Sequence, residues 1–488
     1  MFSFSVYTLG CKLNQLESES FADAFRREGF PVIPWGEAAD ILVINTCTVT
    51  SKADQKARRI IRKALRDNPS SCIIVTGCYA QLEADYLETL ETPPAGEAAA
   101  PFRRFSCRGR RLFVVKGQDK SAILDLPRYL KNASGVLGVL VGTWFRSGDD
   151  GGETCPGDGV FRYAPEDFSF HSRGFLKIQD GCDNHCSFCR VSLARGPSVS
   201  LAGEKVLAAL QALEAREYGE AVLTGVNISQ YRDGDRELGG LLEYLLEGTS
   251  RIAIRLSSLE PEGITRKTAE VFAHPRIRPH FHLSIQSGSP EILRKMGRPY
   301  GPEEVEGGIG LLRSVKEDPF IACDMITGFP GETEAEFEKT AALCERTGFA
   351  WIHAFPYSRR PGTAAWDFGN PVAERDAVRR AAVLTDMARR GRREYAGRWF
   401  GRETGVIIVG KHKKNAPDIQ GLSDNYLKLL IQIPPGGTPP PAGTTVRCRI
   451  REIPEGTRGS GEDEYDAAAT PVDVWPFGKQ AARRDIHI

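Results

Sequence analysis

Residues 175–190 read Phe175-Leu-Lys-Ile-Gln-Asp-Gly-Cys182-Asp-Asn-His-Cys186-Ser-Phe-Cys189-Arg190, a short strand-like run that opens into a loop with three cysteines. The spacing is cysteine, three residues, cysteine, two residues, cysteine. Three thiolates this close can wrap one face of a 4Fe-4S cube, and a cube has four irons, so one iron stays open. An open iron can bind a small molecule and pass it an electron, which a fully ligated electron carrier cannot do directly. The competing reading is structural zinc, which normally takes four protein ligands. His185 is the fourth donor on offer, but its place between Cys182 and Cys186 suits tetrahedral closure around the same ion poorly.

Strand candidates continue from this loop at 221–225, 252–256, 280–285, 321–326 and 351–355, after the first at 175–179. Helix candidates lie between them, for example over 201–218 and 333–347. Six alternating units imply a parallel, partial (β/α)6 barrel whose working loops follow the strand C-termini. The cysteine loop falls where such a barrel presents its active site.

The first ninety residues follow the same alternation: strands at 4–9, 41–45 and 72–76, helices at 15–28, 53–66 and 81–90. Strands alternating with helices predict a second parallel sheet. Each of these strands runs into a loop with a cysteine, at Cys11, Cys47 and Cys78. They are too far apart for a local metal knuckle, yet loops at one edge of a parallel sheet converge in space. Gly10 and Gly77 precede two of them and permit close backbone approach to a bulky cluster. A second three-cysteine cluster is therefore expected. Cys72 sits inside an apolar strand and reads as core.

The rest of the chain is less regular. Residues 91–105 read as a loop insertion, 111–130 as a weaker strand–helix pattern, and 145–170 as an interdomain linker. A helix over 374–394 carries seven arginines, and short β-type runs at 404–409, 426–431 and 445–451 predict a small β-barrel. The α/β chain thus divides into a cluster-bearing domain (1–145), a linker (146–170), the barrel domain (171–395), the small β-barrel (396–456) and a polar tail (457–488). For 488 residues, about three domains is the ordinary expectation.

There is no apolar run of about 18 residues, so no membrane span is expected. The start has no basic segment ahead of an apolar one, which argues against a signal peptide and for the cytoplasm. Twelve cysteines in that setting favour thiols kept for metal or catalysis over a disulfide framework. Lys+Arg (64) and Asp+Glu (63) cancel, so binding to nucleic acid has to be argued from local clustering. Both the arginine helix and the β-region carry such clusters.

The central motif resembles the radical S-adenosylmethionine superfamily, whose members bind the methionine amine and carboxylate at the open iron. Phe188, just before the third cysteine, fits that pattern. Gly328-Phe-Pro-Gly-Glu332 resembles the loop packing near the adenine. Ser257 and Gln286 end two predicted strands, so the resemblance makes Ser257, Gln286, Gly328 and Glu332 candidates for holding S-adenosylmethionine.

With Gly10-Cys-Lys-Leu-Asn14, Asn45-Thr-Cys47 and Gly77-Cys78-Tyr-Ala-Gln81 added, nearly the whole chain resembles the methylthiotransferase family. The resemblance implies two 4Fe-4S clusters. Cys11, Cys47 and Cys78 would hold the one that handles sulfur. Cys182, Cys186 and Cys189 would hold the one that binds S-adenosylmethionine and generates a radical. It further implies a TRAM-like domain that grips RNA, and no general acid or base stands out. Residues 91–110 and 145–170 are longer and less regular than the family pattern, and Cys107 and Cys155 within them match no ligand position.

Three stretches are similar to the branch that methylthiolates N6-threonylcarbamoyladenosine at C2, at position 37 of tRNA: Thr8 to Ser18, Leu223-Thr-Gly-Val-Asn227 and Phe355-Pro-Tyr-Ser-Arg-Arg-Pro-Gly-Thr363. The implied partners are a tRNA anticodon stem-loop, with the target base unstacked into the pocket, and an electron donor protein. Rival branches act on isopentenyladenosine in tRNA or on a ribosomal-protein aspartate. A rival of another class is a non-catalytic iron–sulfur protein that binds RNA.

Overall fold

The structure, a computed structural model, describes residues 2–91, 110–147, 159–411, 419–433, 438–453 and 465–474. Strands β1 (Phe4–Thr8), β2 (Ile41–Thr46), β3 (Cys72–Gly77) and β4 (Leu112–Val114) pair in that order, all parallel. β2 and β3 are buried along their whole length, as strands covered on both faces must be. Cys72 is one of their core residues.

Helix α1 (Lys12–Arg27) starts earlier than the apolar spacing suggested, with Cys11 as its N-cap residue. α2 (Ser51–Asp67) is capped by Thr50, whose side chain accepts from the Ala53 amide. The helix expected over 81–90 is instead two, α3 (Cys78–Leu82) and α4 (Ala84–Glu88), broken at Glu83, whose backbone leaves the helical region. Past β4 come α5 (Leu126–Asn132) and α6 (Leu137–Ser147).

Cys107, Cys155 and most of the 91–105 insertion lie outside the described residues. The described part of the 145–170 stretch does more than connect, since Tyr163 and Phe168 are buried in the main core. Two aromatic rings in a Gly- and Asp-rich run gave no periodic signal, yet each hides enough apolar area to anchor the segment.

The second sheet system is the expected partial barrel. β5 (Gly174–Lys177), β6 (Glu220–Thr224) and β7 (Ala253–Leu256) are joined in parallel. β8 (Ser258–Leu259), β9 (His280–Gln286), β10 (Phe320–Thr327) and β11 (Trp351–Pro356) continue it. Ser257 marks the break between β7 and β8, so six strand positions follow one another in sequence order. Among the described residues the first and last do not pair, and the barrel stays open on that side. Side chains alternate with period two. Phe281, Leu283 and Ile285 of β9 join the outer core with Ile321, Cys323 and Met325 of β10. His280, His282, Asp324 and His353 therefore face the lumen.

α7 (Val191–Arg195) follows the central cysteine loop, and α8 (Glu374–Arg398) packs along β11. In α8 most of the arginines find an acid within the chain, Arg380 and Arg392 in partly buried pairs and Arg379, Arg389 and Arg390 in exposed ones. Arg379 and Arg380 pair with Glu334, Arg389 with Asp386, Arg390 with Glu345 and Arg392 with Asp466.

A closed five-stranded barrel ends the fold: β12 (Glu403–Lys411), β13 (Ile419–Ser423), β14 (Lys428–Ile431), β15 (Thr445–Arg451) and β16 (Ala467–Val474), closing in the order β12-β13-β14-β16-β15. Three of these strands were expected. β16 corrects the reading of 457–488 as a polar tail: Ala467 and Ala469 are fully buried inside the barrel, and Ala468 packs on its other face with Leu430, Ile453 and Tyr465. Alanine is a poor strand former by composition, but a narrow barrel interior has room only for small side chains at such positions. Among the described residues no helix is long and apolar enough to cross a membrane.

Candidate functional site

The three amino-terminal cysteines meet at the C-terminal edge of the first sheet. Cys11 caps α1, Cys47 follows β2 and Cys78 opens α3 directly after β3. Three polar side chains lash the loops together. Asn14 donates from Nδ2 to the Leu9 carbonyl at 2.7 Å and the Thr46 carbonyl at 3.0 Å. Asn45 donates to the Asn14 carbonyl at 3.1 Å. Thr46 Oγ1 donates to the Thr76 carbonyl and accepts from the Ala80 amide at 3.3 Å.

Glycine is required at Gly10, where φ is +108° and a Cβ would stand 2.6 Å from Cys47 Cβ and 2.9 Å from its Sγ. Burial, with Cys11 and Cys78 beside it, pushes the Cys47 thiol up to about 12. Three thiols so placed cannot ionise together without a cation between them. Iron supplies that charge and deprotonates its thiol ligands, so the donor set fits a cluster.

The central loop is built on the same terms. Gly181, at φ +69°, passes so close to Pro197 that a Cβ would lie 1.8 Å from its carbonyl oxygen. The Cys182 amide donates to the Gly196 carbonyl at 3.1 Å, and the Cys189 amide to that of Cys186 at 3.1 Å. Ser187 is held by the carbonyls of Met296 and Lys295 and accepts from the Ala365 amide. Phe188 packs against a cluster of Ile292, Met296, Phe329 and Ala365. Burial raises Cys189 to about 12, and Cys186 and Cys182 add to it. The same fit to a cluster holds here.

Arg195 of α7 ties one loop to the other. Its Nε donates to Cys78 Sγ at 3.3 Å, Nη2 to Asn14 Oδ1 at 2.9 Å, and Nη1 to Asp180 Oδ1 at 3.0 Å and Glu17 Oε1 at 3.2 Å. Lys120 and Lys177 complete this buried network on Glu17 and Asp180. Burial alone would raise Glu17, yet Lys120, Arg195 and Lys177 outweigh it and hold it at about 2. A cavity of about 230 Å³ lined by Cys78, Lys120, Tyr163, Asp180 and Arg195 lies beside it. Two further contacts seat the first domain on the barrel mouth: Arg360 donates to Thr48 Oγ1 and Asp54 Oδ2, both at 2.6 Å, and Arg190 to Glu83 at 2.9 Å.

The four residues expected around S-adenosylmethionine all fall at this mouth. Ser257 follows β7, with its hydroxyl buried and, among the described residues, unpartnered. Gln286 ends β9 in the left-handed region, at φ +72°. The Gly328 amide donates to Glu332 Oε2 at 2.6 Å, and the same oxygen accepts from Arg380 at 2.7 Å. Glu332 thus brackets the turn, while Gly328 lines a cavity of about 800 Å³ with Phe355, Tyr357, Phe368 and residues 50–52.

Sequence reasoning missed Asn227, Glu260 and Arg298. Arg298 and Glu260 pair at 2.8 Å and both act electrostatically on Cys186, and Asn227 hydrogen-bonds Cys182. Burial pushes Glu260 up to about 7 even with Arg298 beside it. Asn227 stood in the stretch Leu223–Asn227 but was not assigned to the site, Glu260 is an acid four residues past the strand expected over 252–256, and Arg298 gave no signal.

Residues 3–95 match the model of "Uncharacterized protein family UPF0004", and residues 176–344 match that of the radical SAM superfamily. The chain is 41% identical over 483 residues to threonylcarbamoyladenosine tRNA methylthiotransferase MtaB of Treponema pallidum (strain Nichols), covering 92% of this chain and 98% of that protein. It is 32% identical to the protein of the same name from Thermotoga maritima, over 87% of this chain and 90% of that one. The tRNA-2-methylthio-N(6)-dimethylallyladenosine synthase of Anaplasma marginale (strain St. Maries) is 29% identical, over 93% of this chain and 95% of that one.

Proposed function

Because this chain belongs to the MtaB family of threonylcarbamoyladenosine tRNA methylthiotransferases, we propose that it adds a methylthio group to C2 of N6-threonylcarbamoyladenosine at position 37, in the anticodon loop of tRNA. The observation that carries this reading is Arg195, which joins the two three-cysteine loops at one barrel mouth. Cys182, Cys186 and Cys189 would hold one 4Fe-4S cluster, and Cys11, Cys47 and Cys78 the other. Bound there, the clusters supply the electron that cleaves S-adenosylmethionine reductively and the site that delivers sulfur.

The chain's own residues position and insulate. Glu260 and Arg298 lie beside Cys182 and Cys186, and Ser257 and Gln286 stand at strand ends of the same mouth, where S-adenosylmethionine would lie. Asn14 and Arg195 fix the first cysteine set against the second. The buried Glu17–Asp180 network holds Arg195 in place at the join. The small barrel is assigned to the RNA stem, an electron donor protein to the reduction, and the cytoplasm to the work as a whole.

Anaerobic reconstitution followed by iron and sulfide analysis tests the clusters. About eight irons per chain are expected on the three-cysteine reading, and four would remove the second cluster. Nucleoside mass spectrometry of tRNA from a deletion strain tests the substrate. Loss of the methylthio derivative of threonylcarbamoyladenosine is expected. Its persistence, with loss of methylthio-isopentenyladenosine, would move the chain to the rival branch.

A further inference from the structure

Helix α2 of the first domain carries seven cations against two acids, Asp54 and Asp67. Asp54, Ala57, Ile61 and Ala64 form its buried face. Lys52, Lys56, Arg59 and Lys63 recur at i, i+4, i+7 and i+11, which places them in one stripe on the opposite face, and all four are exposed. At 1.5 Å of rise per residue the stripe is about 16 Å long. Among the described residues none of the four has an ion-pair or hydrogen-bond partner. Their neighbours on the flanks do: Arg58 and Arg62 donate to the Tyr79 and Tyr86 hydroxyls, and Arg66 pairs with Asp67. Like charges held side by side along a helix repel one another, and a polyanion laid across them relieves the repulsion.

The stripe begins at the mouth of the site. Thr50 caps α2 three residues after Cys47, and the Ser51 amide donates to Ser358 Oγ at 2.9 Å, which ties the helix start to the loop after β11. Residues 50–52 line the cavity of about 800 Å³ together with Phe355, Arg359 and Phe368. Phe355 and Phe368 are 43% and 38% exposed, and the Arg359 guanidinium lies 4.4 Å over the exposed ring of Trp366. Exposed aromatic faces beside unpaired cations suit unstacked bases and the phosphates that join them. An acidic protein partner would use the cations and leave the rings idle.

The small barrel docks at the other end of the large one. Tyr426 stacks on His280 at 3.8 Å and meets Phe320 at 5.8 Å, and these are the first residues of β9 and β10. Arg255 donates to the Ser423 carbonyl at 3.3 Å. The cysteine loops lie at the opposite strand ends, a strand length away, on the order of 20 Å. RNA gripped by the small barrel alone would leave its loop unguided where a base has to enter.

We infer that α2 is a second RNA-binding surface: Lys52, Lys56, Arg59 and Lys63 receive backbone phosphates of the anticodon arm, and the groove at the helix start takes an unstacked loop base against Phe355 and Phe368. The inference rests on tRNA being the substrate. It gives the first domain a task beyond holding its cysteines, since the element that follows Cys47 also steers the RNA toward them.

The test uses reconstituted holoenzyme and a synthetic anticodon stem-loop carrying threonylcarbamoyladenosine, with filter binding across a salt series. Lys56→Gln, Arg59→Gln and Lys63→Gln are combined, and Lys52 is kept because it borders the cysteine loop. Affinity at low salt is expected to fall about tenfold or more, and the slope of log K against log salt to flatten by about two to three. The loss should appear in KM more than in kcat, at an unaltered iron count. Arg389→Gln with Arg390→Gln, cations that already have acids, should leave the slope as it is. A triple variant with the wild-type slope overturns the inference, and so does a slope flattened as much by the α8 pair as by the α2 triple. A triple variant that keeps its slope but loses activity with reduced flavodoxin, and not with dithionite, gives the stripe to the electron donor protein instead. A wild type that binds no tRNA stem-loop overturns the substrate reading. Binding that depends on α2, with turnover only of an isopentenyladenosine stem-loop, moves the branch and upholds the inference.

Discussion

Arg195 Nε stands 3.3 Å from Cys78 Sγ, although 117 residues separate them in the chain. Arg195 belongs to the short helix after the central cysteine loop, whereas Cys78 opens a helix of the first domain. Their contact makes the position of one cysteine set depend on the other. A radical made at one site and sulfur delivered at the other demand that dependence, because misplacement by about 1 Å can cost two orders of magnitude in rate.

Arg195→Lys keeps the buried charge opposite Glu17 and Asp180 but loses the planar fork that reaches Asn14, Asp180 and Cys78 together. The expected outcome is uncoupling: more 5′-deoxyadenosine released per methylthiolated nucleoside, at an unaltered iron count. Chromatography of both products from one reaction checks this. An unchanged product ratio would limit Arg195 to a role in stability.

Gly10 and Gly181 separate the clusters genetically. A Cβ at Gly10 collides with Cys47, and one at Gly181 collides with the Pro197 carbonyl. Both positions also have positive φ, so alanine is strained there as well as crowded. Gly10→Ala should drop iron from about eight to about four per chain while S-adenosylmethionine cleavage continues. Gly181→Ala should lose a similar amount of iron and the cleavage with it.

That Cys11, Cys47 and Cys78 meet at one sheet edge was legible because each follows a strand whose apolar run is plain, and parallel strands bring their ends together whatever the loop lengths. The relations among them were not legible. Arg195 reads as one basic residue on a short helix, and Glu260 and Arg298 lie 38 residues apart with no periodic signal to join them. β16 was missed because alanines carry no strand propensity until a narrow barrel surrounds them. Tyr163 and Phe168 were hidden in a stretch whose glycines and aspartates dominate its appearance.

Glu17 makes stability depend on pH. Its carboxyl is held at about 2 against an ordinary 4.5, so the folded state binds its proton less readily than the unfolded chain does. That difference stabilises the fold by about 3 kcal/mol above the ordinary value and fades as pH falls from 4.5 toward 2. Glu17→Gln removes the charge and leaves Lys120 and Lys177 with Asp180 alone. The variant apoprotein should unfold at lower urea than wild type at pH 7, and the gap should narrow as the pH drops through that window. Equilibrium urea titrations at several pH values measure it.

The outer face of the small barrel should set the salt dependence of tRNA binding. Along β15 the residues Val446, Cys448 and Ile450 point inward, and Arg447, Arg449 and Arg451 point out. Arg447 and Arg449 share a single acid, Glu403, at 2.9 and 2.7 Å, and all three side chains involved are partly exposed. Such surface pairs are weak, about 0–1 kcal/mol, so phosphates can displace Glu403 at little expense. Each phosphate contact removed should lower the slope of log K against log salt by about one. Replacing all three arginines by alanine should therefore weaken tRNA binding at low salt and flatten that slope by about two to three. Filter binding across a salt series reads both, with the iron count as control for folding. A slope equal to that of the wild type would move the RNA contact off this face of the barrel.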